Sequence, residues 1–500
     1  MAATERAFSI IAPGTYGLNT QTSIDALDPR FCLNNLNTVQ DAAGRTSSRK
    51  GYIAVTSSPL GGTPNIQQIF EYVSNTSTTG FLSCANNNIY SGSTTLTSVY
   101  STAITANNWQ AVNFNNFMWF FQRAHAPLRW DGATMVTILS LGGTGTPPQG
   151  NCVLGAFGRL WVADTSTDKV TLYFSDTLIG QNWTGGTSGT LNLNTVWQNG
   201  MDGVVALAAF QGYLIIFGRK SILIYQGASV PSTMTLLEVI KGVGCIARDS
   251  VQNIGTDIYF LSDTGIRSLQ RTIQTTTMPM QDISRNVRDG LLSYAAQDNL
   301  DLTRSVYHEA EGFYLINFPT NGVAFCFNVR RTLEDGSNPV TFWNAINPKA
   351  MLSSRDRTLY FGHGGIISKY SGYQDNGASY DFDFIGPWLG FGEPERQDIL
   401  KKLIFTVVGA NGQSFTAKWF WDFASTTYSA AVTVAPHATA EYNIAEYNIA
   451  EYSSGVGVDQ ISIPGASTGK LISIGLLASI SGSQLALHKI DAYAKPGRMI

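Results

Sequence analysis

The chain is short of charge. Lys, Arg, Asp and Glu make up 13% of its 500 residues, about half the share of an ordinary soluble domain. The formal net charge is −3, which excludes a global field of the kind that captures nucleic acid. The basic residues come as scattered pairs, Arg49-Lys50, Arg219-Lys220, Arg330-Arg331 and Lys401-Lys402, without interleaved stacking platforms, and they read as solvated turns. The surface must therefore be Asn, Thr, Ser and Gly. Such a surface suits a particle component whose faces are covered by neighbours better than a free cytosolic enzyme.

Paired cysteine is also missing. Cys32, Cys84, Cys152, Cys245 and Cys326 lie dozens of residues apart, odd in number and with no Cys-x-x-Cys, so neither a disulfide framework nor a zinc knuckle fits. Cys326, inside "VAFCFNV", reads as a buried small hydrophobe. No apolar run approaches the ~20 residues of a membrane span. Glu5, Arg6 and Pro13 surround only a short apolar stretch, so no secretory signal is visible and maturation in a reducing cytoplasm is expected.

Intact chemical motifs are equally scarce. "PGASTGKL", with Gly465 to Lys470, is one residue short of a phosphate loop and has Leu471 where the magnesium-binding hydroxyl belongs, so a hairpin turn is expected. "HEAEG" at His308 offers Gly312 in place of the second zincin histidine. His125, His308, His363, His437 and His488 have no ligand spacing, and His363 in "FGHGG" reads as a turn residue. The Ser-Asp pairs at Ser175 and Ser262 miss the sialidase Asp-box spacing and look like blade turns. Catalytic propellers need convergent carboxylates or arginines on inner strands. The candidate inner strands, Val204 to Phe210, Val153 to Phe157 and Val251 to Gly255, carry no carboxylate, and a filled or inert middle is expected. No catalytic, cofactor-binding or metal residue is assigned, and the chain is expected not to be an enzyme.

What is present is a repeat. An apolar strand, a tight polar turn and a second aromatic-rich strand recur in "VLGAFGRLWVADTSTDKVTLYFSD", "DGVVALAAFQGYLIIFGRKSILIYQGA" and "DSVQNIGTDIYFLSDTGIRSL", as in a β-propeller. Second-strand centres fall at Ile89-Tyr90, Met118-Trp119, Leu160-Trp161, Leu214-Ile215, Ile258-Tyr259, Phe313-Tyr314 and Leu359-Tyr360, mostly about 40 to 55 residues apart and near blade periods. The step from Tyr90 to Trp119 is too short for a blade, so one unit is partial or completed by an N-terminal strand. Six or seven blades are expected. Trp-Asp occurs only at Trp130-Asp131 and Trp421-Asp422 and does not recur from unit to unit, which counts against the WD40 scaffold class.

Three regions follow, in an all-β chain. Residues 1–60 form an extended arm too poor in apolar residues to fold alone, expected to lie on the propeller and the C-terminal domain. Residues 61–375 hold the propeller and a helical insertion near 281–296, with Ile283, Val287, Leu291 and Tyr294 on one face and Asp282 as N-cap. Residues 376–500 carry longer alternating strands, expected to form a β-sandwich-like platform whose segments 400–410 and 471–480 supply subunit contacts. The tandem "EYNIA" repeat with Tyr442, Tyr447 and Tyr452 fits a loop or bulged edge as well as a strand, because five is odd.

The order of "GLNTQTSIDALDPRFCLNNLNTVQDAAGRTSSRKGYIAV", the two blades from Gly150 and Met201, "KGVGCIARDSVQNIGTDIYFLSDTGIRSL" and "QDISRNVRDGLL" resembles the β-propeller tail proteins of short-tailed bacteriophages, the nozzle, tail tubular protein B or head-to-tail stopper. The resemblance implies a virion subunit, assembled in the host cytoplasm into a homo-hexameric ring below the portal and adaptor. That ring would be conduit and closure for double-stranded DNA, with tail fibres, tailspikes or a tail needle as further partners. Low charge is compatible with a conduit that must not hold DNA. The alternative is a glycan-binding or glycan-cleaving propeller, which needs acidic or aromatic side chains facing one pocket.

Overall fold

Alternation of apolar and polar residues over short segments, interrupted by Gly- and Asn-rich turns, folds most of the chain into antiparallel meanders. The computed structural model describes residues 5–77, 79–197, 202–270, 282–392, 395–435 and 457–499. Blade 1 is Gln68–Val73, Thr79–Ala85, Asn88–Ser91 and Thr97–Tyr100. Blade 2 runs from Gln110–Phe114 to Met135–Thr137, blade 3 from Gly150–Ala156 to Gly189–Asn192, and blade 4 from Val204–Phe210 to Thr235–Lys241. Gln252–Asn253, Ile258–Ser262 and Gly265–Ser268 form a three-stranded blade 5. Blade 6 runs from Arg304–His308 to Val340–Trp343, and blade 7 holds Ala350–Ser353, Leu359–His363 and Ile366–Tyr370. Among the described residues, six four-stranded blades and one of three strands thus surround an axis lined by the first strand of each, and the circle closes where Ala350–Ser353 meets Gln68–Val73.

The fourth strand of blade 7 comes from the other end of the propeller sequence: Tyr52–Ala54 pairs antiparallel with Ile366–Tyr370. This corrects the expected register. Ile89-Tyr90 lies on the third strand of blade 1, whose second strand is Thr79–Ala85, so the short step to Trp119 reflects a misplaced centre. Blade 1 is complete, and the N-terminal strand completes blade 7 instead.

The C-terminal region is a sandwich of two sheets. In one, Arg396–Gly409 lies between Val458–Pro464 and Leu485–Met499, and the hairpin Thr38–Gln40 with Thr46–Ser48 and the strand Arg6–Ile11 add to Leu485–Met499. In the other, Leu471–Ile480 lies between Tyr380–Ile385 and Ser414–Trp421, with Tyr428–Thr433 outside. Asn34–Leu36 joins this second sheet to the outer strand of blade 6, so hydrogen bonding continues from propeller to sandwich. Leu403, Phe405 and Val407 share one apolar cluster with Ile474, Leu476 and Phe415, and the same cluster takes in Tyr259, Tyr314 and Phe325 of blades 5 and 6. The arm does lie on both units, as its sparse apolar content requires. Segments 400–410 and 471–480 are central strands paired on both edges and largely buried, which removes them as edge-to-edge subunit contacts.

Between blades 5 and 6 the helix spans Arg288–Gln297, after a 3-10 turn at Arg285–Val287. Val287 precedes it without a side-chain cap, so Asp282 is not its N-cap. Asp282 is instead buried at the end of blade 5, with Arg288 at 3.5 Å and the Ser284 hydroxyl donating to it. Ile283, Val287 and Leu291 are buried and Tyr294 half-buried, as their spacing predicts. The "EYNIA" repeat and His437 lie outside the described residues.

Trp161 and Tyr259 occupy second strands of blades 3 and 5, both buried. Trp161 also donates its indole N–H to the Ala156 carbonyl at 3.0 Å. Truncating either to Ala is expected to cost about 3–5 kcal/mol, read as a lower midpoint in urea. Unchanged midpoints for both would refute the blade register.

Candidate functional site at the propeller axis

The inner strands begin at one end of the axis, and there the chain spends part of its scarce charge. Arg248 and Asp249 open the 3-10 turn Arg248–Ser250 ahead of the blade 5 inner strand, and Arg304 is the first residue of the blade 6 inner strand. Arg248 grips Asp249 with two parallel bonds, Nε to Oδ1 and Nη2 to Oδ2, each 2.8 Å. Arg304 Nη1 approaches Oδ2 to 3.0 Å, and Gln68 of blade 1 donates to it at 3.0 Å. The same guanidiniums bind blades 2 and 3: Arg248 donates to Asn108 Oδ1 at 2.7 Å and twice to Asn151 at 2.8 Å, and Arg304 donates to Asn108 Oδ1 at 3.2 Å. Five blades are thereby tied at one point.

The network extends outward. Asn151 donates to Asp164 at 3.0 Å, and Asp164 also takes Lys169 at 2.7 Å and a bond from Arg123. Asp164 is buried in the left-handed region, at φ +62°, a conformation that few non-glycine residues adopt and that here serves an ion-paired position.

Burial alone would raise the Asp249 carboxyl. Its attraction to Arg248 and Arg304, with hydrogen bonds from Arg248 and Gln68, outweighs that and holds it below the usual carboxylate range. Arg304 is pushed down to about 10 by burial, which Asp249 only partly offsets, and it stays protonated at neutral pH. Behind the cluster lies a cavity of about 290 Å³, lined by inner-strand residues of blades 1, 2, 5, 6 and 7, including Gln110, Gln252, Tyr307 and Ser353. Among the described residues, Arg248, Asp249 and Arg304 are its only charged lining residues.

A second polar pin joins arm, propeller and sandwich. Arg49 is fully buried and binds both oxygens of Asp375 at 2.8 and 2.7 Å. Its guanidinium lies 3.9 Å from the Tyr380 ring centroid and 5.8 Å from that of Trp343. This corrects the solvated-turn reading of Arg49-Lys50 for Arg49, whereas Lys50 is half-exposed and pairs with Glu311 at 2.7 Å. Next to it, Gly51 has no room for a side chain, since a Cβ would sit 1.9 Å from the Gln374 carbonyl oxygen.

His363 ends the second strand of blade 7, its ring 4.6 Å from that of Tyr52 on the closing strand. Burial pushes it down to about 4, against the opposing pull of Asp375. Protonation therefore favours the unfolded chain. The stability it contributes is complete above pH ~6.5 and is lost as pH falls toward ~4, up to about 3 kcal/mol. His363→Gln is expected to flatten that part of a stability-versus-pH curve, and an identical slope in the variant would refute it.

The remaining sequence motifs resolve as structure. At the broken phosphate loop, Thr468–Gly469 pairs with Asp398 and Ile399, and Ser467 Oγ accepts both the Trp419 and Trp421 indole N–H at 2.8 and 2.7 Å. His308 ends an inner strand and is buried. Ser262 starts the tight turn of blade 5, and Asp176 after Ser175 accepts the Thr177 and Thr187 amides. All five cysteines are buried and unpaired. Among the described residues no group of three or more His, Cys, Asp or Glu is placed to hold a metal, and no helix is long and apolar enough to cross a membrane.

No protein-family model and no curated protein matches the chain. Solved structures similar to it include WD40 propeller domains. The extracellular domain of a one-component system from B. thetaiotaomicron has a TM-score of 0.44 and 10% identity over 73% of this chain, which spans 46% of that one. The WD40 propeller domain of Doa1 gives 0.38 and 11%, covering 64% of this chain and 96% of that one. The Neurospora crassa Pan2 WD40 domain gives 0.36 and 10%, over 65% and 94%.

Proposed function

We propose that the chain is a structural subunit of a short phage tail, a hexameric nozzle ring below the portal and adaptor through which the genome leaves. The observation that carries this reading on the structural side is the arm. Residues 5–54 supply strands to the sandwich, to the bridge from blade 6 and to blade 7, so propeller and platform are stitched together as a load-transmitting ring subunit requires. The order of the sequence segments that resemble nozzle proteins supports the family reading.

The closed axis refines the reading. Arg248, Asp249 and Arg304 are bonded to residues of blades 1, 2 and 3, so in this reading the conduit for DNA lies between subunits, on the axis of a ring. Heterologous contacts closing such a ring need complementary faces. Uncovered apolar side chains are present for them at Leu139, Leu178 and Ile179, at Leu236 and Leu237 on the outer strand of blade 4, and at Tyr428 and Val458 on the sandwich edges. Negative-stain images of the purified chain at high concentration are expected to show six-fold rings, and mass measurement six copies. A chain that stays monomeric alone and in the presence of its adaptor would overturn the reading.

A further inference from the structure

We propose that the axial cavity is a binding site for one small oxyanion, a phosphate or a carboxylate, received by Arg304 and Gln110. The first observation is a charge imbalance. Two guanidiniums share the single carboxylate of Asp249, and both of its oxygens are already occupied. Asp301 is exposed and offers Arg304 its backbone carbonyl at 2.8 Å.

The second is an unused donor. Arg304 is 3% exposed. Its Nε–H goes to the Gln67 carbonyl, its Nη1 group donates to the Asp301 and Thr303 carbonyls and lies in ion-pair contact with Asp249, and its Nη2 group goes only to Asn108. One Nη2 hydrogen has no acceptor among the described residues, in a side chain that lines the cavity. A buried donor without a partner is costly, and a charged one more so.

The third is an amide whose orientation is settled. Gln110 Oε1 accepts the Val153 amide at 2.6 Å, which leaves its Nε2 group as the part free to donate to a guest. Ser353 and Tyr307 line the same space. At about 290 Å³ the cavity is roughly ten times the ~30 Å³ share of a liquid water, enough for a hydrated phosphate or acetate.

The test uses the purified full chain at fixed ionic strength, replacing chloride by phosphate or by acetate and reading thermal unfolding and titration calorimetry. A ligand that binds only the folded chain raises the midpoint in a saturable way. Saturable stabilisation by phosphate, by acetate or by both is expected, with mutual competition if both bind. Ser353→Leu, which fills the cavity and leaves the Arg–Asp–Arg contacts in place, is expected to weaken binding at least 10-fold with an unchanged circular dichroism spectrum. Gln110→Leu is expected to weaken it in the same direction. No saturable shift with either anion, or a shift of full size in Ser353→Leu, would overturn the proposal. Because the measurement needs no ring, it stands or falls apart from the tail assignment.

Discussion

Asp249→Asn is expected to destabilise the chain by about 3–5 kcal/mol, the cost of removing one partner from a buried ion pair. The substitution keeps the shape and one carbonyl oxygen. It also places an amide N–H₂ against guanidiniums that have nothing to receive it, and leaves Arg248 and Arg304 with no counter-charge in the axis. The amide cannot serve as counterion at any pH. In the parent, by contrast, the contribution of Asp249 is fully present above the ordinary carboxylate value and disappears only as pH falls through its depressed one. Urea unfolding checks this, with Gln68→Ala as companion: it removes one hydrogen bond to the same carboxylate and is expected to cost only about 1 kcal/mol. A loss below ~1 kcal/mol for Asp249→Asn would mean that water enters the axis and screens the arginines.

Arg49→Leu is expected to have an effect of similar size, about 3–5 kcal/mol, with a different signature. Leucine fills much of the space but strands Asp375, whose side chain is 10% exposed, and removes the cation from the faces of Tyr380 and Trp343. Arg49→Lys restores little, because one ammonium cannot span both carboxylate oxygens. Arg49 sits between the sandwich hairpin and the strand that closes blade 7, so release of the arm is expected first. Limited proteolysis should cut near residues 40–54 in the variant while the parent stays intact. Cleavage at equal rates would refute the role given to Arg49.

Six of the seven blade centres were legible because each second strand pairs an apolar residue with an aromatic or another apolar one in a run that packs on both faces. Blade 1 was misplaced because its second strand, "TGFLSCA", holds small and polar residues, whereas the third holds the more conspicuous Ile89-Tyr90. The axial cluster escaped for a different reason. Its members sit at the mouths of inner strands rather than along them, and Asp249 and Arg304 are separated by the whole of blade 5 and the helix. A usable signal existed: "CIARDSV" and "LTRSVYH" insert charge at the start of apolar strands in a chain that otherwise avoids charge. Arg49 was hidden by its neighbour, since a basic pair looks solvated until one member proves buried. The strand exchange of Tyr52–Ala54 has no local signature, because only the unfilled edge of blade 7 calls for it.

That exchange also sets an order of events during synthesis. Ala54 leaves the ribosome long before Ser368, its register partner in blade 7, and at ~5–20 residues per second the wait is on the order of tens of seconds. Arg6–Ile11 waits longer still, for the strand Leu485–Met499 to which it pairs. Through that interval the N-terminal strands have no partner edge, and the growing meanders have no closed circle. The propeller therefore locks only after Tyr370 has emerged, and every nascent chain passes through an open form whose exposed strand edges are available to chaperones and to other nascent copies.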